Sequence, residues 1–233
     1  MHPTILHIET STNVCSVALS YGSECIFFKS DNEGMNHAAL LSVFIEQALE
    51  ALKSHSKSLD AVSVSSGPGS YTGLRIGVST AKGICYGLDI PLIAIDSLEI
   101  LTVPVIKEIN KQEANTTLLC PMIDARRMEV YDALYRLDRS IFRNVEADII
   151  DEDSFSDALT NNKVYFFGNG ADKCKTMISH QNAIFVDSIE PLAKNMVDMA
   201  VKKYSENDFV DTAYFEPFYL KEFQTTVSKK PLF

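Results

Sequence analysis

Residues 67–73 read Gly-Pro-Gly-Ser-Tyr-Thr-Gly, directly after the apolar run Ala61–Ser65 and directly before a helical pattern. A strand, then glycines, then a helix N-terminus aims backbone N–H groups and a helix dipole at an anion, which makes Gly67, Gly69 and Ser70 candidates for a phosphate loop. The spacing departs from the familiar versions. Gly67-x-Gly69-x-x-x-Gly73 is one residue longer than the dinucleotide fingerprint, and no Walker lysine follows. The same glycines would equally let a strand turn tightly into a helix packed close on a sheet, and spacing alone leaves both readings open.

Glu9-Thr10-Ser11 with Thr12 stands just past the first strand, where a hydroxyl-rich turn could hold a phosphate or a metal-bound water, or simply begin a hairpin. Asp96, at the end of the strand after the glycines, could imitate the ribose-binding acid of a Rossmann unit. His37 precedes a helix without a partner at i+4, which favours a lone capping or interface histidine over a metal ligand. Asp124, Arg126, Arg127 and Glu129 crowd one connection and either line a cleft or form a solvated turn with local ion pairs. Nucleophile elbows and H-E-x-x-H helices are absent from the sequence.

These residues need elements to position them, and the first hundred residues alternate strand and helix signals. Residues 5–8 form a short apolar strand. Residues 15–20 alternate apolar and polar, and Gly22-Ser23 links them to residues 24–29 as a hairpin, with Tyr21 facing Glu24 and Ser20 facing Cys25. Asn36 caps a helix in which Leu41, Phe44 or Ile45, Ala48, Leu49 and Leu52 recur at helical spacing. After the glycines a second helix runs through Ile76, Thr80, Ile84 and Tyr86 to Gly87, and residues 91–95 are the next strand. The order is β-ββ-α-β-α-β. Beyond Pro104 the polar stretch 108–117 reads as a loop between lobes, followed by strands at 118–124 and 129–137. A helix is expected over 151–159, a strand over 164–167, a short helix over 172–180 and a last clear helix from Pro191, with Leu192, Met196, Met199 or Ala200 and Tyr204 on one side. The predicted division is 1–103 for the first lobe, 104–225 for the second and 226–233 for a loose tail.

The chain has 233 residues, of which 46% are hydrophobic and 22% charged, the composition of a soluble globular chain. A formal net charge of −10 argues against a protein that grips a nucleic acid by itself. The five cysteines, 15, 25, 85, 120 and 174, show no Cys-x-x-Cys spacing and read as reduced small hydrophobes. In the hairpin Cys15 lies five positions from the partner of Cys25. No apolar run reaches the length of a membrane span, and residues 1–8 lack the pattern of a signal peptide, so the expectation is cytoplasmic.

Taken together, Ile8-Glu-Thr-Ser11, Cys15-Ser-Val-Ala-Leu19, Ser66-Gly-Pro-Gly-Ser-Tyr-Thr-Gly-Leu-Arg-Ile-Gly77, Ile123-Asp-Ala-Arg126, Glu129-Val-Tyr131 and Pro217-Phe-Tyr-Leu-Lys221 resemble the TsaB (YeaZ) family of bacterial tRNA threonylcarbamoyladenosine synthesis. The resemblance implies the two-lobed α/β fold of the actin/sugar-kinase/Hsp70 superfamily (ASKHA). It implies a non-catalytic subunit supporting a TsaD-like transferase, which moves threonylcarbamoyl from threonylcarbamoyl-AMP to the N6 of the adenosine beside the anticodon. TsaD carries a His-x-x-x-His metal pair after the equivalent strand. Ser97 and Leu101 stand at those positions here, and neither replaces imidazole as a metal ligand.

On this reading the chain alone binds no cofactor or metal, ATP and metal belong to partner subunits, a TsaE-like ATPase is the third component, and tRNA is met only through the complex. A homodimer in isolation stays open. The helices at 38–52 and 72–88 supply the partner surface, with Ala39, Val43, Ala51, Gly73, Gly77, Ala81 and Tyr86 off the core stripe. Gly77 and Ala81, four apart, would leave a groove for a partner helix, unless both helices are simply well buried. Glu9, Thr10, Ser11, Gly67, Gly69 and Ser70 would be degenerate phosphate loops. Two rivals are a stand-alone small-molecule kinase using those loops, and a Rossmann-type dehydrogenase depending on Asp96, which the leading hairpin disfavours.

Overall fold

The first apolar run becomes the middle of a sheet. In the computed structural model, which describes residues 2–32, 36–54, 57–109 and 116–221, every residue of β1 (Thr4–Glu9) is buried. Its two flanks explain why. On one side it pairs antiparallel with β2 (Cys15–Tyr21), and on the other parallel with β4 (Ala61–Ser65). β3 (Glu24–Asp31) and β5 (Leu92–Ile95) complete the order β3-β2-β1-β4-β5. The hairpin register is the expected one, Tyr21 opposite Glu24 and Ser20 opposite Cys25, while Cys15 faces Asp31 and all five cysteines are free. An antiparallel strand beside β1 is incompatible with a Rossmann unit, whose sheet begins with parallel strands.

Helices α1 (His37–Ser54) and α2 (Tyr71–Leu88) cover one face of this sheet, where Leu6 and Ile8 meet Leu41, Phe44, Ala48, Val78, Ala81 and Cys85. α1 keeps one stripe inside and shows Ala39 and Val43 to solvent, as its periodicity requires.

The second sheet repeats the first. β6 (Thr117–Asp124), β7 (Glu129–Tyr135) and β8 (Ile141–Ile149) form an antiparallel meander, and β9 (Lys163–Phe167) then β10 (Ala183–Val186) add in parallel beside β6. Read outward from the third strand, the order β8-β7-β6-β9-β10 matches β3-β2-β1-β4-β5. This duplicated arrangement is the actin/sugar-kinase/Hsp70-type fold. Sequence periodicity misses β8, because its residues alternate between exposed and half-buried and carry Arg143, Glu146 and Asp148. The helix expected over 151–159 is α4 (Ser156–Asn161), and the one over 172–180 shrinks to a 3-10 turn at Asp172–Cys174.

The lobe boundary is the larger correction. α3 (Ser97–Glu108) runs straight through Pro104, carried by apolar contacts on two sides: Ile100 enters the first core, whereas Leu98, Leu101 and Val105 enter the second. Residues 110–115, within the expected interlobe loop, and the tail 226–233 lie outside the described residues. A 3-10 turn at Ala193–Met196 and α5 (Val197–Ser205) return to the first lobe, where Ala193, Met196, Met199 and Ala200 pack on Ile5, Ala18, Ile93 and Ile95. The chain then drapes over α2. The Val210 N–H donates to Leu92 O at 3.0 Å, Lys82 Nζ donates to Ala213 O and Phe215 O, and the Phe218 N–H donates to Ser66 O at 2.7 Å. Among the described residues no helix is long and apolar enough to cross a membrane.

Candidate functional site

The two loops that spacing offers as phosphate cradles are packed on each other. Glu9, Thr10 and Ser11 are fully buried. Thr10 Oγ1 donates to Gly73 O at 2.8 Å, and the Ser70 N–H donates to Ser11 O at 2.6 Å. A Cβ on Gly69 would stand 2.3 Å from Ser11 O, and one on Gly73 only 2.1 Å from Thr10 O. Glycine is required at these two positions because another backbone passes there. Two further N–H groups of the loop are also engaged. Gly67 donates to Ser97 Oγ at 3.1 Å, and Gly73 donates to Ser70 Oγ, the N-cap of α2.

Glu9 is the unusual member. Burial pushes its carboxyl up to about 7, against the opposing hydrogen bond from the Ser11 N–H. Oε1 accepts from the Ser11 N–H, while Glu9 Oε2 and Ser11 Oγ have no hydrogen-bond partner. Nearby His7 spans the sheet between Ser63 Oγ at 2.7 Å and Ser20 Oγ at 2.8 Å, and burial lowers its pKa to about 3, so it is a neutral core residue. The arrangement is a sealed polar core. It offers a phosphate neither open space nor a cation.

Asp96 is likewise spent. Its Oδ1 caps α3 by accepting from Leu98 N and Glu99 N, and Tyr135 of the second lobe reaches it through a 3.4 Å hydrogen bond. The positions of the expected histidine pair, Ser97 and Leu101, are both fully buried on α3, and among the described residues no three His, Cys, Asp or Glu side chains come together as a metal site. A serine hydroxyl already bonded to Gly67 and a leucine do not fit a metal. His37 sits against the Val14 carbonyl at 3.3 Å, a single interface contact. The 124–129 connection is a locked turn: Lys173 Nζ pairs with Asp124 and donates to Arg127 O and Glu129 O, each at 2.7 Å.

The expected outward groove forms elsewhere on α2. Gly73, Gly77, Ala81 and Cys85 make a ridge four residues apart that is buried on the sheet, and a Cβ on Gly77 would stand 2.3 Å from Thr10 Oγ1. Gly73, Gly77 and Ala81 therefore face the core, for the ordinary reason that one side of an amphipathic helix must. The opposite side carries Gly83 and Gly87, also four apart, around which an added Cβ would meet nothing within 4 Å. Tyr86, 88% exposed, and Leu88, 55% exposed, flank them, and Val43 of α1 is 45% exposed. Of the expected interface residues the structure leaves Ala39, Val43 and Tyr86 outward. Sequence reasoning missed Gly83 and Gly87, which the phase of the helix, set by Val78 and Cys85, could have placed outside.

Known proteins resemble this chain along most of its length. The pattern describing TsaD, tRNA N6-adenosine threonylcarbamoyltransferase, matches residues 33–207. The tRNA threonylcarbamoyladenosine biosynthesis protein TsaB of Haemophilus influenzae is 27% identical over 98% of this chain and 97% of its own. That of Bacillus subtilis is 34% identical over 62% of this chain and 60% of its own. Among solved structures, YeaZ from Pseudomonas aeruginosa superposes with a TM-score of 0.78 at 24% identity, covering 94% of this chain and all of that one, which shows a shared fold.

Proposed function

The chain belongs to the tRNA N6-adenosine threonylcarbamoyltransferase family, in its TsaB (YeaZ) branch, and takes part in tRNA threonylcarbamoyladenosine biosynthesis; from that premise we propose that it is the non-catalytic scaffold of the synthesis complex. It holds and activates a TsaD-like catalytic subunit in the cytoplasm, a TsaE-like ATPase completes the assembly, and ATP and metal are bound by the partners. The observation that carries the reading is the outward side of α2, where Gly83 and Gly87 leave the helix backbone bare close in sequence to the exposed Tyr86 and Leu88, while α1 exposes Val43. Small residues four apart let a second helix approach closely, and the apolar residues beside them supply burial. Where the catalytic relative coordinates metal, the buried Ser97 and Leu101 support a chain that does no chemistry of its own.

The reaction needs an acid–base or Lewis-acid centre to activate the adenosine N6, and this chain's part is to position the subunit that holds it. The experiment is reconstitution. Transfer of threonylcarbamoyl to tRNA should require the TsaD-like subunit and rise when this chain is added, while this chain alone should transfer nothing at any metal concentration. Turnover by the purified chain without the partner, or a partner equally active without it, would overturn the scaffold reading.

A further inference from the structure

We propose that the basic and aromatic stripe at the junction of the two lobes is an RNA-contact surface that this chain contributes to the complex. The inference rests on the reading above and adds a second task to scaffolding. Although the net charge is −10, the cations here are grouped. Arg75 on α2 donates to Tyr71 OH at 2.8 Å, and the Tyr71 ring lies 4.8 Å from that of Tyr219 on the C-terminal segment. Two residues on, Lys221 pairs with Glu129 across the lobes, so the stripe crosses from the first lobe to the second. Beyond it are Tyr131 and Arg126, close enough that Lys221, Glu129 and Arg126 all act on the tyrosine hydroxyl.

The far end of the stripe is held outward by backbone geometry. Arg126 and Arg127 occupy left-handed conformations, φ 72° and 54°, and both are exposed. Left-handed backbone is costly for arginine, and here the turn is fixed from below by Lys173, which holds the carbonyls of Arg127 and Glu129. Lys173 thus takes up the local carboxylate Asp124, and among the described residues neither Arg126, Arg127 nor Arg75 is in an ion pair. Arginines without acid partners, interleaved with tyrosine rings, match the chemistry of an unpaired RNA loop: phosphates between guanidinium groups, and splayed bases stacked on rings. A folded acidic protein surface would use the cations but has no need of the rings.

The stripe also begins in the right place. Tyr71 and Arg75 share the side of α2 that carries Tyr86, so an RNA seated on a partner docked at Tyr86 would reach them past the segment that Lys82 holds against the helix through Ala213 and Phe215. The cation number is too small for tight binding by this chain alone, and the affinity appears when the partner supplies the remaining contacts.

The test uses the full chain, the reconstituted complex with its TsaD-like subunit, and an anticodon stem-loop RNA as probe. Arg126→Glu with Arg127→Glu should leave melting temperature and partner binding unchanged, weaken RNA binding by the complex at least tenfold near 0.15 M salt, and lower the salt slope by roughly 1 to 2. Tyr219→Ser should weaken it roughly 5- to 50-fold with the slope retained. In a separate arm, the isolated wild-type chain at low salt should photocross-link to 4-thiouridine in the loop through peptides holding Tyr71, Tyr131 or Tyr219. RNA affinity unchanged in both variants, or cross-links confined to other peptides, overturns the proposal while leaving the scaffold reading intact. Loss of partner binding with RNA affinity retained would assign the stripe to protein contact and also overturn it. If the wild-type chain fails to bind the TsaD-like subunit, the scaffold reading falls, and the cross-linking arm still decides the stripe.

Discussion

Thr10 and Gly73 are locked together in both directions: the Thr10 hydroxyl donates to the Gly73 carbonyl at 2.8 Å, and the Thr10 carbonyl oxygen fills the space a side chain at 73 would need. One turn later Thr10 Oγ1 blocks residue 77 in the same way. The glycine-rich start of α2 is a fit between two backbones, and its consequences are measurable.

Gly77 and Gly83, six residues apart on one helix, should respond oppositely to bulk. Gly77→Leu forces a side chain into Thr10 and is expected to cost about 1–3 kcal/mol or more, seen as a lower melting temperature. Gly83→Arg has open space around its Cβ and gains helix propensity, so stability should hold or rise by up to about 1 kcal/mol. Binding to the TsaD-like subunit should instead fall at least tenfold. Pull-down and thermal melts on both variants check this, and equal loss of stability in the two would contradict the helix phase.

Glu9 should impose a slope on stability versus pH. Its folded pKa of about 7 lies above the ordinary 4.5, so the folded chain keeps a proton that the unfolded chain has released. Its contribution is full below pH 4.5 and is lost as the pH rises through about 7. Glu9→Gln keeps the oxygen that accepts from the Ser11 N–H and removes the ionisation. Melting temperatures between pH 4.5 and 8 should therefore fall less steeply in the variant, with the gain at pH 8 on the order of 1–3 kcal/mol. Parallel curves would place the pH dependence elsewhere.

Asp132 in β7 is fully buried, and Arg143 in β8 is paired with it and with Asp148. Burial pushes the Asp132 carboxyl up, and the Arg143 guanidinium beside it opposes that rise and offsets part of the desolvation cost. Arg143→Leu should destabilise by about 3–5 kcal/mol, because it leaves that group unpaired. Adding Asp132→Asn should recover much of the loss. Denaturant midpoints of the single and double variants measure the coupling, and additive losses would show that the pair is not one unit.

Lys82 ties the C-terminal segment to α2 through two carbonyls. Lys82→Met removes both bonds and keeps much of the apolar stem. Limited proteolysis should then cut between residues 208 and 221 several-fold faster, with the rest of the chain still resistant. An unchanged cleavage rate would mean that Val210, Phe215 and Phe218 hold the segment without it.

The strands around the glycine loop were legible in the sequence because β1, β4 and β5 are continuous apolar runs bounded by turn residues. β8 was not, since an edge strand with charges on its exposed side takes its stability from the ladder to β7. Pro104 looked like a boundary, and the two cores that grip α3 overrode it. On α2, counting small residues found the groove motif on the wrong side: spacing tells which residues share a face but not which way that face points. The stripe from Arg75 to Arg126 was invisible because it is assembled from α2, β7, a turn and the C-terminal segment, which meet only in the folded chain.

Return of the chain to its first lobe also bears on how the protein is made. Ala193, Met196, Met199 and Ala200 cover the face of the first sheet opposite α1 and α2, so a nascent chain that has emerged only to residue 103 exposes Ile5, Ala18, Ile93 and Ile95. The second sheet closes on contacts within residues 97–186, and can be completed while the ribosome still holds the segment that finishes the first. The lobe synthesised first is therefore the one completed last. Its stability is set by residues 193–200, which are translated well after its own strands, and a premature stop before residue 193 would leave one apolar face of its sheet bare.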